Sequence, residues 1–347
     1  MNRQLLFIAT ILSVAAGPGW AQAIKSEAAQ RRAAVVRIGG SSTVFPITQR
    51  AIASFQSGGR NRDIRVELNE TGTSGGFRQF CDGQLAIANA SRPINSKELA
   101  QCARNGVRFV ELPIAFDALT VVVNRANTWT RHISLKELNT IWDRQAQGRI
   151  KSWQQVNGSW PKRPLQLCGP GADSGTYDYF NKAVNGDSVN SRRDYIASED
   201  DQVLVNCVAS HPNALGYFGY AYYAANRDKL KSLWVLGAKG LVAPSLASVQ
   251  NETYVPLSRP LFLYINDQMV RQQPGTRRFL TYTLQNGIDL VRQARYIPLP
   301  PSTYRLVETK LYKHVLGSAF NGELTPGMGL GLALQRSLEL TKKPQFR

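Results

Sequence analysis

Three short segments combine glycine with hydroxyl side chains: Gly-Gly-Ser-Ser-Thr at 39–43, Thr-Gly-Thr-Ser-Gly-Gly at 71–76 and Gly-Ala-Asp-Ser-Gly-Thr at 171–176. Hydroxyls donate hydrogen bonds to an oxyanion, and glycine lets the backbone approach it closely. Each segment stands between a run that reads as a strand and a run that reads as a helix. A helix N-terminus exposes unpaired N–H groups and carries partial positive charge. Three such junctions converging could hold a tetrahedral anion through neutral donors. One junction alone is ordinary turn chemistry; the repetition is what points to a site. Arg92, before Pro93, either adds a bidentate grip on the oxyanion or is a surface arginine in a turn. Asp173 either accepts the proton of a protonated anion or caps the helix that follows. A carboxylate repels an anion unless the ligand carries a proton or a cation neutralises it. That condition would separate monohydrogen phosphate from sulfate.

The elements that must position these residues alternate along the chain. Residues 35–38 read as a short strand and 45–55 as a helix with apolar Phe45, Ile47, Ile52 and Phe55. A strand over 63–68 leads to the second loop and a helix over 77–81; a third strand, 85–90, ends at Ser91-Arg92-Pro93. Ser96 to Leu99 opens another helix. A β-branched strand lies at 121–124, and Ser134 with Glu137 forms the pattern of a capping box. Strands follow at 165–168, 215–218 and 261–265, with helices from Tyr177, over 199–210 and over 276–284. This alternation predicts an α/β layered fold. The tail holds a helical run at 307–316, a glycine-rich stretch at 327–331 and a basic end with Lys342, Lys343 and Arg347. The run reads as a C-terminal helix packed on the first half of the molecule. The aromatic residues around Tyr177 and Tyr217 read as helix-on-sheet packing rather than a sugar platform.

The chain has 347 residues, with 42 Lys and Arg against 24 Asp and Glu, a formal charge of +18. Such a balance raises nucleic acid first, then anionic membranes, then small anions. Residues 1–23 argue against the first. Arg3 is a basic n-region, 5–16 is an apolar run too short to span a bilayer, and Ala21-Gln22-Ala23 is a cleavage signal. A secretory signal peptide at 1–23 is expected, then a polar leader at 24–34 and an exported mature chain with no membrane span. Export leaves no natural role for nucleic acid. Cys81, Cys102, Cys168 and Cys207 are an even set, which favours disulfides in an oxidising compartment. Of the three connectivities, Cys81–Cys102 with Cys168–Cys207 is preferred, because each closes a modest loop. Buried free thiols are the alternative. A metal site is disfavoured, because the spacings and His132, His211 and His314 form no ligand motif. Catalysis is not expected either: Ser174 lies outside a G-x-S-x-G elbow, and no histidine has an acidic partner in a recognisable motif. No cofactor is expected.

At these residues the chain resembles the periplasmic phosphate-binding proteins of ABC importers. The matching pieces are 38–47 (IGGSSTVFPI), 70–80 (ETGTSGGFRQF), 87–94 (IANASRPI), 117–124 (DALTVVVN) and 171–180 (GADSGTYDYF), with 215–223 and 296–300 also fitting. The Ala-Ser-Arg-Pro-Ile piece is similar to a cyanobacterial-type branch. The resemblance implies a two-lobed, type II binding-protein fold closing on inorganic phosphate. One lobe would comprise 35–117 with 259–347 and the other 118–258, with hinge strands near 116–120 and 255–261. It implies a periplasmic monomer delivering phosphate to a membrane permease. Residue by residue it carries over Ser42, Thr43 and the backbone of Val44, then Thr73 with Ser74, then Ser174, Gly175 and Thr176. Two departures stand out. Ser91 and Arg92 occupy the turn where many relatives place an aspartate, and Pro170 and Gly171 the place of an arginine. Arg92 reads as the compensating cation. Asp173 is the substitute proton acceptor, with Asp117 behind it as a residue that could instead brace the hinge. A phosphate sensor or scavenger on the same fold is the alternative role, and a secreted hydrolase a remote one.

Overall fold

A computed structural model describes residues 34–328 and 330–339. The expected signal peptide, nearly all of the leader, and Lys342, Lys343 and Arg347 lie outside the described residues. The chain opens with β1 (Ala34–Gly40), α1 (Phe45–Phe55), β2 (Ile64–Glu70), α2 (Gly72–Cys81), β3 (Ile87–Ala90) and α3 (Ser96–Arg104). β1 lies between β2 and β3 and pairs in parallel with both, the arrangement that helical crossovers produce. β4 (Phe109–Asn124) is next, and all sixteen of its residues are buried. A run of apolar side chains on both faces is what a strand covered on both sides requires.

The middle of the chain supplies β5 (His132–Ser134), α4 (Leu135–Trp142), β6 (Gln166–Pro170), α5 (Gly175–Asn185), β7 (Ile196–Ser198) and α6 (Asp201–Ser210). It continues with β8 (Ala214–Gly219), α7 (Tyr220–Ala225), β9 (Leu230–Ser232), β10 (Trp234–Gly237) and β11 (Gly240–Val242). β12 (Ser258–Asn266) returns to the beginning, followed by α8 (Pro274–Gln285), β13 (Ile297–Pro298), α9 (Pro301–Tyr312) and α10 (Leu330–Glu339). Among the described residues the main sheet runs β2-β1-β3-β12-β4-β8-β6-β7, with β9 and β13 also on β4, and β11-β10-β5 form a small second sheet.

β4 joins the two halves of this sheet. Its residues 109–118 pair antiparallel with β12, and its residues 119–123 pair antiparallel with β8. At the changeover Leu119 N–H donates to the Leu257 carbonyl, 2.8 Å away. The first half packs Phe77, Phe80, Phe109 and Tyr264 edge to face. The second stacks Phe180 on Tyr217, ring centres 3.8 Å apart, with Trp142 against both. The Cys81–Cys102 bridge ties α2 to α3, and Cys168–Cys207 ties β6 to α6. With all four cysteines bonded to each other, the free-thiol and metal readings give way.

Local signals hold at several ends. Ser134 and Glu137 form the expected capping box, and Asn95 with Glu98 forms another at α3. The main departure is α2. The expected loop at 71–76 is already helix from Gly72, five residues before the expected start at Phe77. β4 and β12 also extend well beyond the expected 121–124 and 261–265. No helix among the described residues is long and apolar enough to cross a membrane.

Candidate functional site

Each hydroxyl-bearing segment is held by a glycine that tolerates no side chain. β1 ends on Gly40 at φ 126°, where a Cβ would come within 2.2 Å of the Asn89 carbonyl oxygen. From there 41–43 turn into α1, whose N-cap is Val44. In α2, a Cβ on Gly76 would come within 2.6 Å of Gly40 Cα, so the helix can lie this close to β1 only with glycine there. Gly72, at φ 69°, lies under the Asp173 carbonyl, which a Cβ would approach to 2.5 Å. Ser174 caps α5, its Oγ accepting from Thr176 N–H at 3.1 Å. A Cβ on Gly175 would stand 2.5 Å from Thr73 Oγ1 and 2.7 Å from Ser91 Oγ.

These segments converge. Thr43 Oγ1 and Thr176 Oγ1 are 3.1 Å apart, and Thr73 Oγ1 and Ser91 Oγ are 3.2 Å apart. Ser91 N–H also donates to Thr73 Oγ1. Ser74 N–H donates across to the Asp173 carbonyl at 2.8 Å. Ser42, Thr43, Thr73, Ser91, Ser174 and Thr176 are all buried, and the Ser42 carbonyl accepts from the Tyr222 hydroxyl. The starts of α1, α2 and α5 therefore meet at one cluster of neutral donors.

The cation in this cluster is Arg259, on β12, which sequence reasoning missed. It is wholly buried, and its Nη2 donates to Thr176 Oγ1 at 2.9 Å and Thr43 Oγ1 at 3.2 Å. Its Nη1 donates to the Ser91 carbonyl at 3.3 Å. Asp117 on β4 is its cross-strand partner, accepting from Nη2 at 3.0 Å and Nε at 3.2 Å through one oxygen. The other Asp117 oxygen accepts from Tyr220 N–H at 3.0 Å. Burial pushes the Asp117 carboxyl above its usual range, and the Arg259 charge opposes that shift. One signal could have found the pair. Arg259 is the lone charge in 258–266, and Asp117 is one of only two charges, with Glu111, in 109–124; charges in fully buried strands are rare unless paired.

Two expectations are corrected. Arg92 is neither a ligand grip within the hydroxyl cluster nor a surface arginine. It is 2% exposed, and all five N–H donors are engaged by Glu98, Asp178, Ser74 Oγ and the Pro93 carbonyl. Burial penalises its charge, but Glu98 and then Asp178 more than offset the penalty and hold it firmly protonated. Asp173 neither caps α5 nor faces the cluster unpaired. Its two oxygens take a bidentate pair from Arg78 at 2.7 and 2.6 Å, which holds its carboxyl below the usual range. Among the described residues no group of His, Cys, Asp or Glu is placed to hold a metal ion.

An α/β sheet in two halves with helix N-termini, hydroxyls and a buried arginine meeting between them is an architecture suited to holding an anion. A family model described as the PBP superfamily domain matches residues 25–286, and the chain belongs to that superfamily. It is 43% identical over 301 residues to Protein SphX of Synechocystis, covering 87% of this chain and 89% of the relative. It is 32% identical over 275 residues to the phosphate-binding protein PstS of Staphylococcus saprophyticus, covering 78% and 82%. Among solved structures, one described as "a possible phosphate binding protein" from Planctomyces limnophilus is 38% identical, with a TM-score of 0.59 over 80% of this chain and 98% of that one. An ABC-type phosphate transport receptor from Vibrio cholerae shares the fold at 21% identity, TM-score 0.57, over 76% and 100%.

Proposed function

We propose that this chain captures inorganic phosphate between two lobes and hands it to the permease of an ABC importer. The lobes are 35–117 with 259–347, and 118–258. The observation that carries the reading is the convergence of Thr43, Thr73, Ser91 and Thr176 around the Arg259–Asp117 pair. The similarity to the phosphate-binding protein PstS of Staphylococcus saprophyticus supports it. Phosphate would take donors from these hydroxyls, from Ser42 and Ser174, and from the backbone at Val44 and Gly175, where α1 and α5 begin. Arg259 supplies the cation and, being paired with Asp117, keeps the empty site close to neutral.

Asp117 replaces Asp173 as the acceptor for the ligand's proton. An ionised carboxylate beside monohydrogen phosphate gains a hydrogen bond; beside sulfate, which carries no proton near neutral pH, it meets only repulsion. The chain acts as a monomer in the periplasm after loss of residues 1–23. Titration calorimetry of the mature protein with phosphate at neutral pH tests the reading: one tight site is expected, and absence of heat would overturn it.

A further inference from the structure

The partners of Arg92 divide unequally between the halves. Its Nη1 donates to Glu98 Oε2 at 2.8 Å and the Pro93 carbonyl at 3.0 Å, and its Nη2 to Glu98 Oε1 at 2.7 Å and Ser74 Oγ at 2.8 Å. Its Cζ lies 5.6 Å from the centre of the Phe77 ring. All of these groups belong to the first half. Only Nε reaches across, 2.6 Å to Asp178 Oδ2 on α5. With five donors spent, Arg92 has none left for a ligand.

We propose that Arg92 and Asp178 form a release latch, a cross-lobe ion pair that sets how fast bound phosphate leaves without touching it. Breaking a buried pair is ordinarily costly, because one charge stays behind unpaired. Here Glu98 keeps Arg92 neutralised when the halves part, and Asp178 passes to water. A solvent-open cavity bordered by Ser74, Arg92, Lys97, Asp178 and Lys182 lies beside the pair. The latch can therefore make and break repeatedly. Among the described residues a second ion pair across the halves, Arg78–Asp173, is bidentate, but its side chains are 55% and 40% exposed, so water and salt screen it more than the buried pair.

The latch rests on the phosphate-capture reading, and its test separates the two. Stopped-flow mixing with inorganic phosphate gives association and release rates for the wild type and for Asp178→Asn, which keeps shape and removes charge. Loss of one charge-assisted hydrogen bond should speed release about ten- to a hundred-fold and leave association within about threefold. Asp173→Asn should change release less than about threefold, and Asp178→Glu should restore slow release. Release from Asp178→Asn at the wild-type rate would overturn the latch. Small-angle scattering of the ligand-free proteins supplies a second arm, in which Asp178→Asn should be more open. Should the wild type take up no phosphate, the capture reading fails, and identical scattering of the two proteins would then sink the latch as well.

Discussion

Arg259 carries the one full positive charge inside the hydroxyl cluster, so its replacement separates binding from folding less cleanly than it first suggests. Arg259→Met removes the cation and strands Asp117, a buried charge left without its partner. Phosphate binding should fall at least about a hundred-fold, on the scale of a buried pair being broken, and the double change Arg259→Met with Asp117→Asn should recover stability but not affinity. Calorimetry with phosphate alongside thermal melting distinguishes these outcomes. Asp117→Asn alone is the selectivity probe: it turns a pure acceptor into a side chain that also donates. Phosphate and arsenate affinities should drop and sulfate affinity rise, measured by titrating all three in parallel. Sulfate binding as weak as in the wild type would remove Asp117 from the acceptor role. The hydroxyls of this site were legible in the sequence because glycine and hydroxyl residues recur at strand-to-helix junctions. The cation was not, because a lone arginine in an otherwise uncharged strand hints at burial without naming its partner, and pairing between β4 and β12 joins residues 142 positions apart. Arg92, conversely, drew attention by its place beside Pro93 within a recognised motif, while its partners Glu98 and Asp178 could be assigned only in three dimensions.

At the level of elements, the strand-loop-helix alternation was readable, and so were both disulfides and the Ser134 cap. The start of α2 was not. Thr-Ser-Gly-Gly has low helix propensity, and what makes it helical is tertiary: Gly76 against β1 and Gly72 beneath Asp173. The contact at Gly175 has a testable consequence. It is the first residue of α5, and the atoms a Cβ would strike, Thr73 Oγ1 and Ser91 Oγ, come from the other half. Gly175→Ala should fold normally and close poorly. Overpacking of this kind costs about 1–3 kcal/mol, which would weaken phosphate binding roughly ten- to a hundred-fold at nearly unchanged ligand-free melting temperature. Unaltered affinity would show that the two helix starts do not approach this closely in the bound form.

Across the whole molecule, several acidic groups are held against their preference. Burial, then Asp200, pushes Glu70 up to about 7; burial, with Asp173 and Asp178 behind it, pushes Glu199 up to about 7. Burial pushes Asp201 up to about 8, with Arg259 opposing and Asp117, Glu70 and Asp200 adding to it. One oxygen each of Glu199 and Asp201 is buried without a hydrogen bond. Carboxyls raised in the folded state keep protons that the unfolded chain has already lost, so stability falls as pH rises from about 4 through 8. Asp173 and Asp194, both lowered by arginine partners, act in the opposite sense and only at more acid pH. The melting temperature should therefore be several degrees higher near pH 5 than near pH 8, and Asp201→Asn should flatten that slope. The net charge of +18 has a separate signature: added salt should slow phosphate association and leave release unchanged, since screening acts on the approach. The placement of Arg259 and Asp117 orders the event itself. They face each other on β4 and β12 at the point where the chain passes from one half to the other, and if the two proposed lobes turn about that point, whatever sits on the axle barely travels. The anchor is ready before the panels meet. An arriving anion is expected to berth there first, and α2 and α5 then fold over a guest already moored.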